Sequence, residues 1–461
     1  MGPFFFCGIG GSGMMPLALI LKGQGITVSG SDRSNDQGRT PEKFTFLKSQ
    51  GISIVPQDGL GLTTAYSALV VSSAIEDSIP EVQRAKAIGV PIIKRAELLA
   101  QIFDAAHVRI AVGGTSGKST TTGMLAWILS EYGKNPTVMN GANFLNFVSP
   151  QNAYATALVG DEKLFVAECD ESDGSIVLYH PTIAVLTNVA LDHKPIDDLL
   201  PIFDQYLKQS NQVVLNITNN AVKSAFVTQY REKSLIVSLS EADGADIIVT
   251  NIIPSLCGSM AEIKDVRTGE GGLLTLQIPG RHNVENALCA IGAAVLAGVP
   301  FMESVRLLSR FLGVVRRLQT IKTINNISVI DDFAHNPDKV EASLKSLHET
   351  DGRLLIMFQM HGYGPFRLMK DPLLQSFAAG LNQQDIFYMP DVLYLGGSVD
   401  KSYTAADFTH ELKALGVNAC HVPLRADIAQ LLRDEAKSGD RIVIMGARDD
   451  TLTDFAKSIF P

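Results

Sequence analysis

The chain has 461 residues, 46% of them hydrophobic, and a formal net charge of −9 from 39 basic and 48 acidic residues. That size suits two or three domains at about 100–200 residues each. The acidic balance argues against a broad nucleic-acid-binding surface, which needs a basic face, and no apolar run approaches the ~18 residues of a membrane span. The five cysteines are scattered without metal-ligand pairing and read as small buried residues of a reducing compartment. The opening MGPFFFCGIGG has neither the charged region and cleavage site of a signal peptide nor the Ser or Thr of a myristoylation signal. A cytoplasmic location is expected.

Short apolar runs alternate with helical patterns along most of the chain, which reads as βα units around parallel sheets. FFFCGI, ITVSGS and ALVVSSA are strands of a first Rossmann-like domain, with helices in IPEVQRAKAIGV and AELLAQIFDAA. VRIAVGG, LFVAECD, TIAVLTNV and QVVLNI are buried strands of a central domain like a P-loop ATPase. SLIVSLS, DIIVTNII and GLLTLQI alternate and are broken by Gly, Asp and Pro, so a small antiparallel patch is expected there, followed by a long helix from NVENALCAIGAAVLAG. ISVIDDF, RLLIMFQM, DIFYMP, ACHVP and RIVIMGA then make a second Rossmann-like series. The expected fold is α/β in three domains, at residues 1–105, 106–314 and 315–461.

Two glycine-rich turns carry the chemistry. Gly8, Gly10 and Gly13 form Gly-x-Gly-x-x-Gly after the first strand, with Asp32 about 20 residues beyond the turn; taken alone, that is a dinucleotide fingerprint. The second turn is VGGTSGKSTTT, residues 112–122, between a strand and a helix. Its glycines let backbone N–H groups converge on phosphate oxygens, and the helix N-terminus adds positive potential. Lys118 would reach the β- and γ-phosphates, and Ser119 would offer its hydroxyl to Mg²⁺. Only three residues separate Gly113 from Gly117, so the usual four-residue Walker spacing is not met. A glycine turn with an incidental Lys-Ser is the bland reading; strand, turn and helix in the right places favour phosphate.

The departure has its own meaning. Gly-Thr-x-Gly-Lys-Ser-Thr-Thr resembles the ATP loop of the Mur ligases, ATP-dependent amide-bond-forming enzymes of peptidoglycan synthesis. Further motifs similar to that family follow in order. VAECDESDGS ends a strand with crowded carboxylates, a solvated acidic turn unless a cation compensates; the resemblance implies Glu168 as a Mg²⁺ ligand. TNVALDHKP supplies His193, which the resemblance places at a second divalent cation, although Ala190 stands where many relatives have Glu. In IPGRHNVENALCAIGAA, His282, Asn283 and Asn286 are implied to contact adenine and ATP; ordinary N-capping by Asn283 is the simpler alternative. FLGVVRRLQ offers Arg316 and Arg317, of which Arg317 is favoured for the γ-phosphate. VIDDFAHNP resembles DDYAHHP, with Asp332 for the ribose, His335 near the reacting groups and Asn336 in place of the second His. FQMHGYGPFRLMKD keeps Gln359, His361, Tyr363 and Arg367 of a Gln-Pro-His-Arg-Tyr-Ser-Arg-Thr-Arg pattern, but has Gly362 and Pro365 where arginines stand.

In the subgroup that uses UDP-N-acetylmuramate, G-I-G-G-x-G-M followed by V-S-G-S-D holds the UDP part of the substrate. The resemblance therefore assigns Gly10, Gly11, Ser12, Gly13, Met14 and Asp32 to a nucleotide sugar and displaces the hydride-transfer reading. It assigns Gly114, Thr115, Gly117, Lys118, Ser119 and Thr120 to ATP, and Ser119, Glu168 and His193 to Mg²⁺. Lys118, Arg317, His335 and His361 form the expected catalytic set, with either histidine able to take the amine's proton, and Arg367 faces the incoming amine. The implied reaction activates the lactyl carboxylate as an acyl phosphate, with Mg·ATP across the second and third domains. The amine is read as the murein tripeptide L-Ala-γ-D-Glu-meso-diaminopimelate, because losing two arginines makes room; L-alanine is the alternative. A non-catalytic nucleotide-binding regulator is the reading from another class. No nucleic-acid or membrane partner is expected, and oligomeric state is not specified.

Overall fold

The computed structural model describes residues 2–460 apart from 74, 150, 191–194, 242–243, 256–257, 395–399, 448 and 450. The chain divides into two compact units: Met1–Asn251 with Ala261–Thr275 and Val284–Val314, and Ile252–Met260 with Leu276–Asn283 and Val315–Pro461. The architecture is α/β with three sheets, mostly parallel.

The first sheet holds β1 (Phe4–Cys7), β2 (Val28–Ser31), β3 (Ser53–Val55), β4 (Ala68–Val71) and β5 (Ile92–Lys94) in the order β3-β2-β1-β4-β5, all pairs parallel. Its helices are α1 (Met14–Gly23), α2 (Arg33–Asp36), α3 (Pro41–Ser49), α4 (Pro80–Ile88) and α5 (Arg95–Asp104). From β1 the chain proceeds to one edge, and from β4 to the other. The turn after β1 thus lies at a topological switch point, where open α/β sheets bind ligands.

The second sheet holds β6 (Val108–Gly113), β7 (Pro136–Met139), β8 (Ala157–Leu158), β9 (Asp161–Glu168), β10 (Ile183–Leu186), β11 (Gln212–Asn216), β12 (Ser234–Ser238), β13 (Ile247–Ser255), β14 (Gly258–Asp265) and β15 (Gly271–Leu276). Their order is β15-β14-β13-β12-β11-β10-β6-β9-β7-β8, with helices α6 (Lys118–Glu131), α7 (Ile196–Lys208), α8 (Asn220–Tyr230), α9 (Arg281–Leu296) and α10 (Phe301–Leu308). One expectation is corrected here. SLIVSLS, expected in the antiparallel patch, is β12 and pairs in parallel with β11 and β13. Helix α8 supplies the crossover that a parallel pair needs, and four of the five β12 residues are buried rather than alternating. The connections after β13 and β14 are too short for a crossover, so the antiparallel part starts only there.

Within the first unit, α5 joins the first sheet to the second. Phe103 packs edge-on to Phe165 at 5.6 Å and to Tyr179 at 5.2 Å, and Asp104 pairs with His180 at 2.8 Å. Helix α1 is buried at seven of its ten residues, since it packs on β2 as well as on β7 and β8.

The third sheet, in the second unit, has the order β16 (Gln319–Ile324), β17 (Ile327–Asp332), β21 (Arg441–Gly446), β18 (Leu354–Gln359), β19 (Ile386–Met389), β20 (Ala419–His421). Only β16 is antiparallel, an edge strand that the sequence pattern does not announce. Helices α11 (Pro337–Leu347), α12 (Tyr363–Gly380) and α13 (Ala405–Ala414) build one core, and α14 (Arg425–Glu435) with α15 (Leu452–Ser458) builds another on the opposite face.

Candidate active site

Three adjacent parallel strands end together: β9 at Glu168, β6 at Gly113 and β10 at Leu186. The loop after β6 is moulded by the residues that follow β10. Asn188 Oδ1 accepts from the Thr115 hydroxyl at 2.7 Å and from the Ser116 N–H at 2.9 Å, while its Nδ2 donates to the Ser116 carbonyl at 3.0 Å. The Thr187 hydroxyl donates to the same carbonyl at 2.7 Å. Gly114 and Gly117 have φ of +134° and +79°. A Cβ at Gly114 would lie 2.1 Å from Thr187 Oγ1, and one at Gly117 would lie 2.2 Å from Asn286 Oδ1, so nothing larger fits at either. Helix α6 starts at Lys118, and the amides of its first turn have no partner within the helix. Thr120 is buried there, and the Thr121 hydroxyl donates to Asn286 at 3.3 Å.

The Ser119 hydroxyl stands 2.9 Å from both oxygens of Glu168, and the Gly141 N–H donates to Glu168 Oε2 at 2.7 Å. Lys118 Nζ donates to the Gly114 carbonyl and to Glu171 Oε2, each at 2.7 Å. The two side chains are 14% and 3% exposed. Burial opposes the Lys118 charge, but the carboxylates of Glu171, Glu168 and Asp170 outweigh it and raise its pKa, so the ammonium persists at neutral pH. The Asp170 carboxyl is lowered despite burial, by the Ser172 N–H and by the charges of Lys118 and Arg95.

A hydroxyl beside a carboxylate is an all-oxygen donor pair. It suits Mg²⁺, which takes one or two protein ligands and completes its shell with water and phosphate oxygens. Among the described residues no cluster of three His, Cys, Asp or Glu side chains could hold a metal ion. The expected ligand His193 lies outside the described residues.

In the turn after β1, the Gly11 N–H donates to the Gly8 carbonyl at 3.1 Å, and the Met14 N–H to the Gly11 carbonyl at 3.0 Å. Gly11 and Ser12 form its exposed tip, whereas the Met14 side chain is buried in the core. Asp32 organises this turn: its carboxylate accepts from the Gly10 N–H and from the Ser34 N–H, both at 2.8 Å.

In the second unit, the segments after β17 and β18 bring His335 and His361 together, ring centres 5.6 Å apart. His335 Nδ1 is 2.8 Å from the Phe333 carbonyl, which assigns the proton to that nitrogen and a lone pair to Nε2. Burial above all, then the charges of Lys339, His361 and Arg317, pull its pKa down to about 4, against the Phe333 carbonyl. The two arginines separate clearly. Arg316 is buried at φ +58° and donates to Asp331 at 3.0 Å, the Gly446 carbonyl at 2.7 Å and the Asp449 carbonyl at 3.2 Å. The Arg317 guanidinium lies 5.1 Å over the Phe333 ring and makes no hydrogen bond or ion pair among the described residues. Asp332 is buried, accepts from the Leu318 N–H at 3.1 Å and the Ser343 hydroxyl at 2.5 Å, and has its pKa raised by burial. His282 Nδ1 lies 2.8 Å from Ser346 Oγ, with its pKa lowered to about 4 by burial. Asn283 Nδ2 donates to the Pro279 carbonyl at 2.6 Å. Arg367, in the first turns of α12, pairs with Asp400. Gly362 caps that helix at φ +83°, and a Cβ there would touch only Pro365 Cδ, at 3.7 Å.

Family models match almost the whole chain: Mur ligase family, catalytic domain, over 4–107; Mur ligase middle domain over 112–294; and Mur ligase, glutamate ligase domain, over 316–448. The chain belongs to the Mur ligase family. Its relatives include the UDP-N-acetylmuramate–L-alanine ligases of Bradyrhizobium sp. (strain ORS 278), 32% identical over 98% of this chain and 96% of that protein, and of Caldicellulosiruptor bescii, 32% identical over 97% and 96%. The fold is shared with the UDP-N-acetylmuramate-alanine ligase of Thermotoga maritima (TM-score 0.78, 23% identity, covering 100% and 98%) and the murein peptide ligase of Psychrobacter arcticus (0.68, 24%, 100% and 98%). This Mur ligase is thus an ATP-dependent, amide-bond-forming enzyme. Four residues outside the expected set shape the site: Thr187 and Asn188, which mould the loop, Glu171, which holds Lys118, and Arg95. An Asn just past a buried strand and a Glu in the crowded acidic turn are weak signs of such roles; nothing local marks Thr187 or Arg95.

Proposed function

We propose that this Mur ligase joins the lactyl carboxylate of UDP-N-acetylmuramate to the amine of L-alanine in peptidoglycan synthesis, in the cytoplasm. A carboxylate oxygen attacks the γ-phosphorus of ATP and ADP leaves. The amine nitrogen then attacks the acyl carbon, the bond to phosphate breaks, and the nitrogen loses a proton. Two anions must approach each other, so cationic groups have to cancel their repulsion. Lys118 and the amides at the start of α6 hold the phosphates. Ser119 and Glu168 would hold Mg²⁺, which supplies further charge neutralisation when bound. Arg317 is the arginine of its pair with a guanidinium to offer the γ-phosphate, and His335 Nε2 or His361 accepts the proton. The acid-activating half is supported by Lys118, Ser119 and Glu168 converging at three strand ends.

The choice of amine is carried by one observation: relatives that align with 97–98% of the chain at 32% identity bear the name L-alanine ligase. The tripeptide reading, first from the sequence, falls to second place; it is favoured by the open space at Gly362 and by Pro365, where the family pattern has arginines. Phosphate release from ATP with UDP-N-acetylmuramate, measured separately with L-alanine and with the tripeptide, tests this. Turnover with L-alanine is expected. Turnover with tripeptide alone would overturn the choice of amine, and turnover with neither would overturn the reaction. No helix among the described residues is long and apolar enough to cross a membrane.

A further inference from the structure

Arg95 is the first residue of α5, and its side chain lies flat across Gly13. A Cβ on Gly13 would stand 3.1 Å from Arg95 Cδ and Nε and 3.4 Å from Cζ. The last glycine of the first motif is covered by an arginine from another helix. The arrangement is built in from both ends of α5. At the start, Glu97 accepts from the Lys94 N–H at 3.1 Å and fixes the first turn; at the far end, Phe103 and Asp104 anchor the helix on the second sheet.

The guanidinium is electrostatically uncompensated on this side. It makes no ion pair or hydrogen bond among the described residues, and it sits beside the N-terminus of α1, whose partial charge is also positive.

We infer that Arg95 binds the diphosphate of the nucleotide sugar, its planar fork closing over phosphate oxygens held at the turn before α1. This rests on the UDP-sugar reading. A guanidinium matches two phosphate oxygens at once, which a glycine turn alone cannot do with a full charge.

Calorimetric titration of the full chain with UDP, uridine and a non-hydrolysable ATP analogue tests the inference on the wild type, R95M and R95Q. The expected result is a tenfold or greater loss of UDP affinity in both variants, with uridine and the ATP analogue binding within twofold of wild type. A neutral variant that keeps ATP-analogue affinity and binds UDP within twofold of wild type overturns it. An equal loss for UDP and uridine also overturns it, because Arg95 would then serve the nucleoside or the domain's packing. If both variants also lose the analogue, R95K decides: with analogue and uridine affinity within twofold of wild type, UDP must bind at least threefold more weakly than to wild type, since an ammonium lacks the planar fork, or the assignment fails. Wild-type protein that ignores UDP altogether sinks the UDP-sugar reading itself.

Discussion

Lys118 and Glu171 meet at 2.7 Å in a pair almost closed to solvent, so the lysine proposed to meet ATP is already held by a carboxylate. Removing one partner of a buried pair costs about 3–5 kcal/mol, because the other charge is stranded. Asp170 and Glu168 still face Lys118, so E171Q should lose about 3 kcal/mol, the low end of that range. Lys118 has a raised folded pKa. Its contribution is complete below the unfolded value of about 10.4 and lost as pH rises through the folded one. The stability gap between wild type and E171Q should therefore be flat from about pH 7 to 9 and close in strong alkali, while in acid Glu171, its pKa raised by burial, takes up a proton and the charged pair is lost there too. Mg·ATP should raise the melting temperature of E171Q more than that of wild type, since phosphate replaces the missing anion; equal rises would contradict this role.

K118A removes the charge itself. Loss of one well-placed cationic donor to developing charge costs about 10²–10³-fold in kcat. UDP binding should survive, because the turn after β1 is built from Gly10, Gly11, Gly13 and Asp32 without any contribution from Lys118. Steady-state kinetics with parallel UDP titration reads both, and a joint loss would mean the two sites are not separate.

The phosphate loop predicts a rescue. G117A forces a side chain to φ +79°, at roughly 1–2 kcal/mol, and drives it into Asn286 Oδ1. ATP affinity should fall tenfold or more. In an N286A background the collision is gone, so adding G117A should cost less ATP affinity there than it does in wild type, whatever N286A itself removes. An equal cost of G117A in both backgrounds would show that Asn286 is not what excludes the side chain.

How much of this was legible in the sequence follows from range. The glycine turns, Lys118, Ser119 and Glu168 lie next to strands whose apolar runs are plain, so motif and position coincide. The residues that fix those groups come from elsewhere: Asn188 reaches Thr115 across 73 positions and Glu171 reaches Lys118 across 53. No local pattern encodes such pairings. β12 does not belong to the antiparallel patch expected for it, because a buried parallel strand with Ser at both ends looks like an alternating one. The sequence favours Arg317 over its neighbour Arg316 by resemblance alone; only the fold shows Arg316 spent on Asp331 and two carbonyls.

That difference makes a paired prediction. R316A leaves Asp331 and two buried carbonyls short of a donor, so it should cost about 3–5 kcal/mol and lower the melting temperature sharply. R317A removes a half-exposed guanidinium stacked on Phe333, so stability should change by less than about 1 kcal/mol. Its kcat should nevertheless fall by about 10²–10³-fold. Denaturant melts beside turnover rates separate the two; a stable, inactive R316A with an active R317A would reverse the assignment.

His335 predicts an acid limb. Its folded pKa is about 4 against an unfolded value of 6.5, so between those pH values the unfolded chain takes up a proton that the fold refuses. Its share of stability is complete above about pH 6.5 and declines as pH falls toward 4, by up to about 2 kcal/mol at pH 5. His282, also lowered to about 4 by burial, adds a similar decline. H335Q should therefore lose less stability than wild type between pH 7 and 5, read as the shift in urea midpoint. Activity should differ in the same experiment: with Nε2 carrying the lone pair throughout this range, His335 cannot be the group behind a loss of turnover between pH 7 and 6. An H335Q chain whose urea midpoints track wild type from pH 7 to 5 would mean the imidazole is charged in the fold, and it would then be no proton acceptor for the amine.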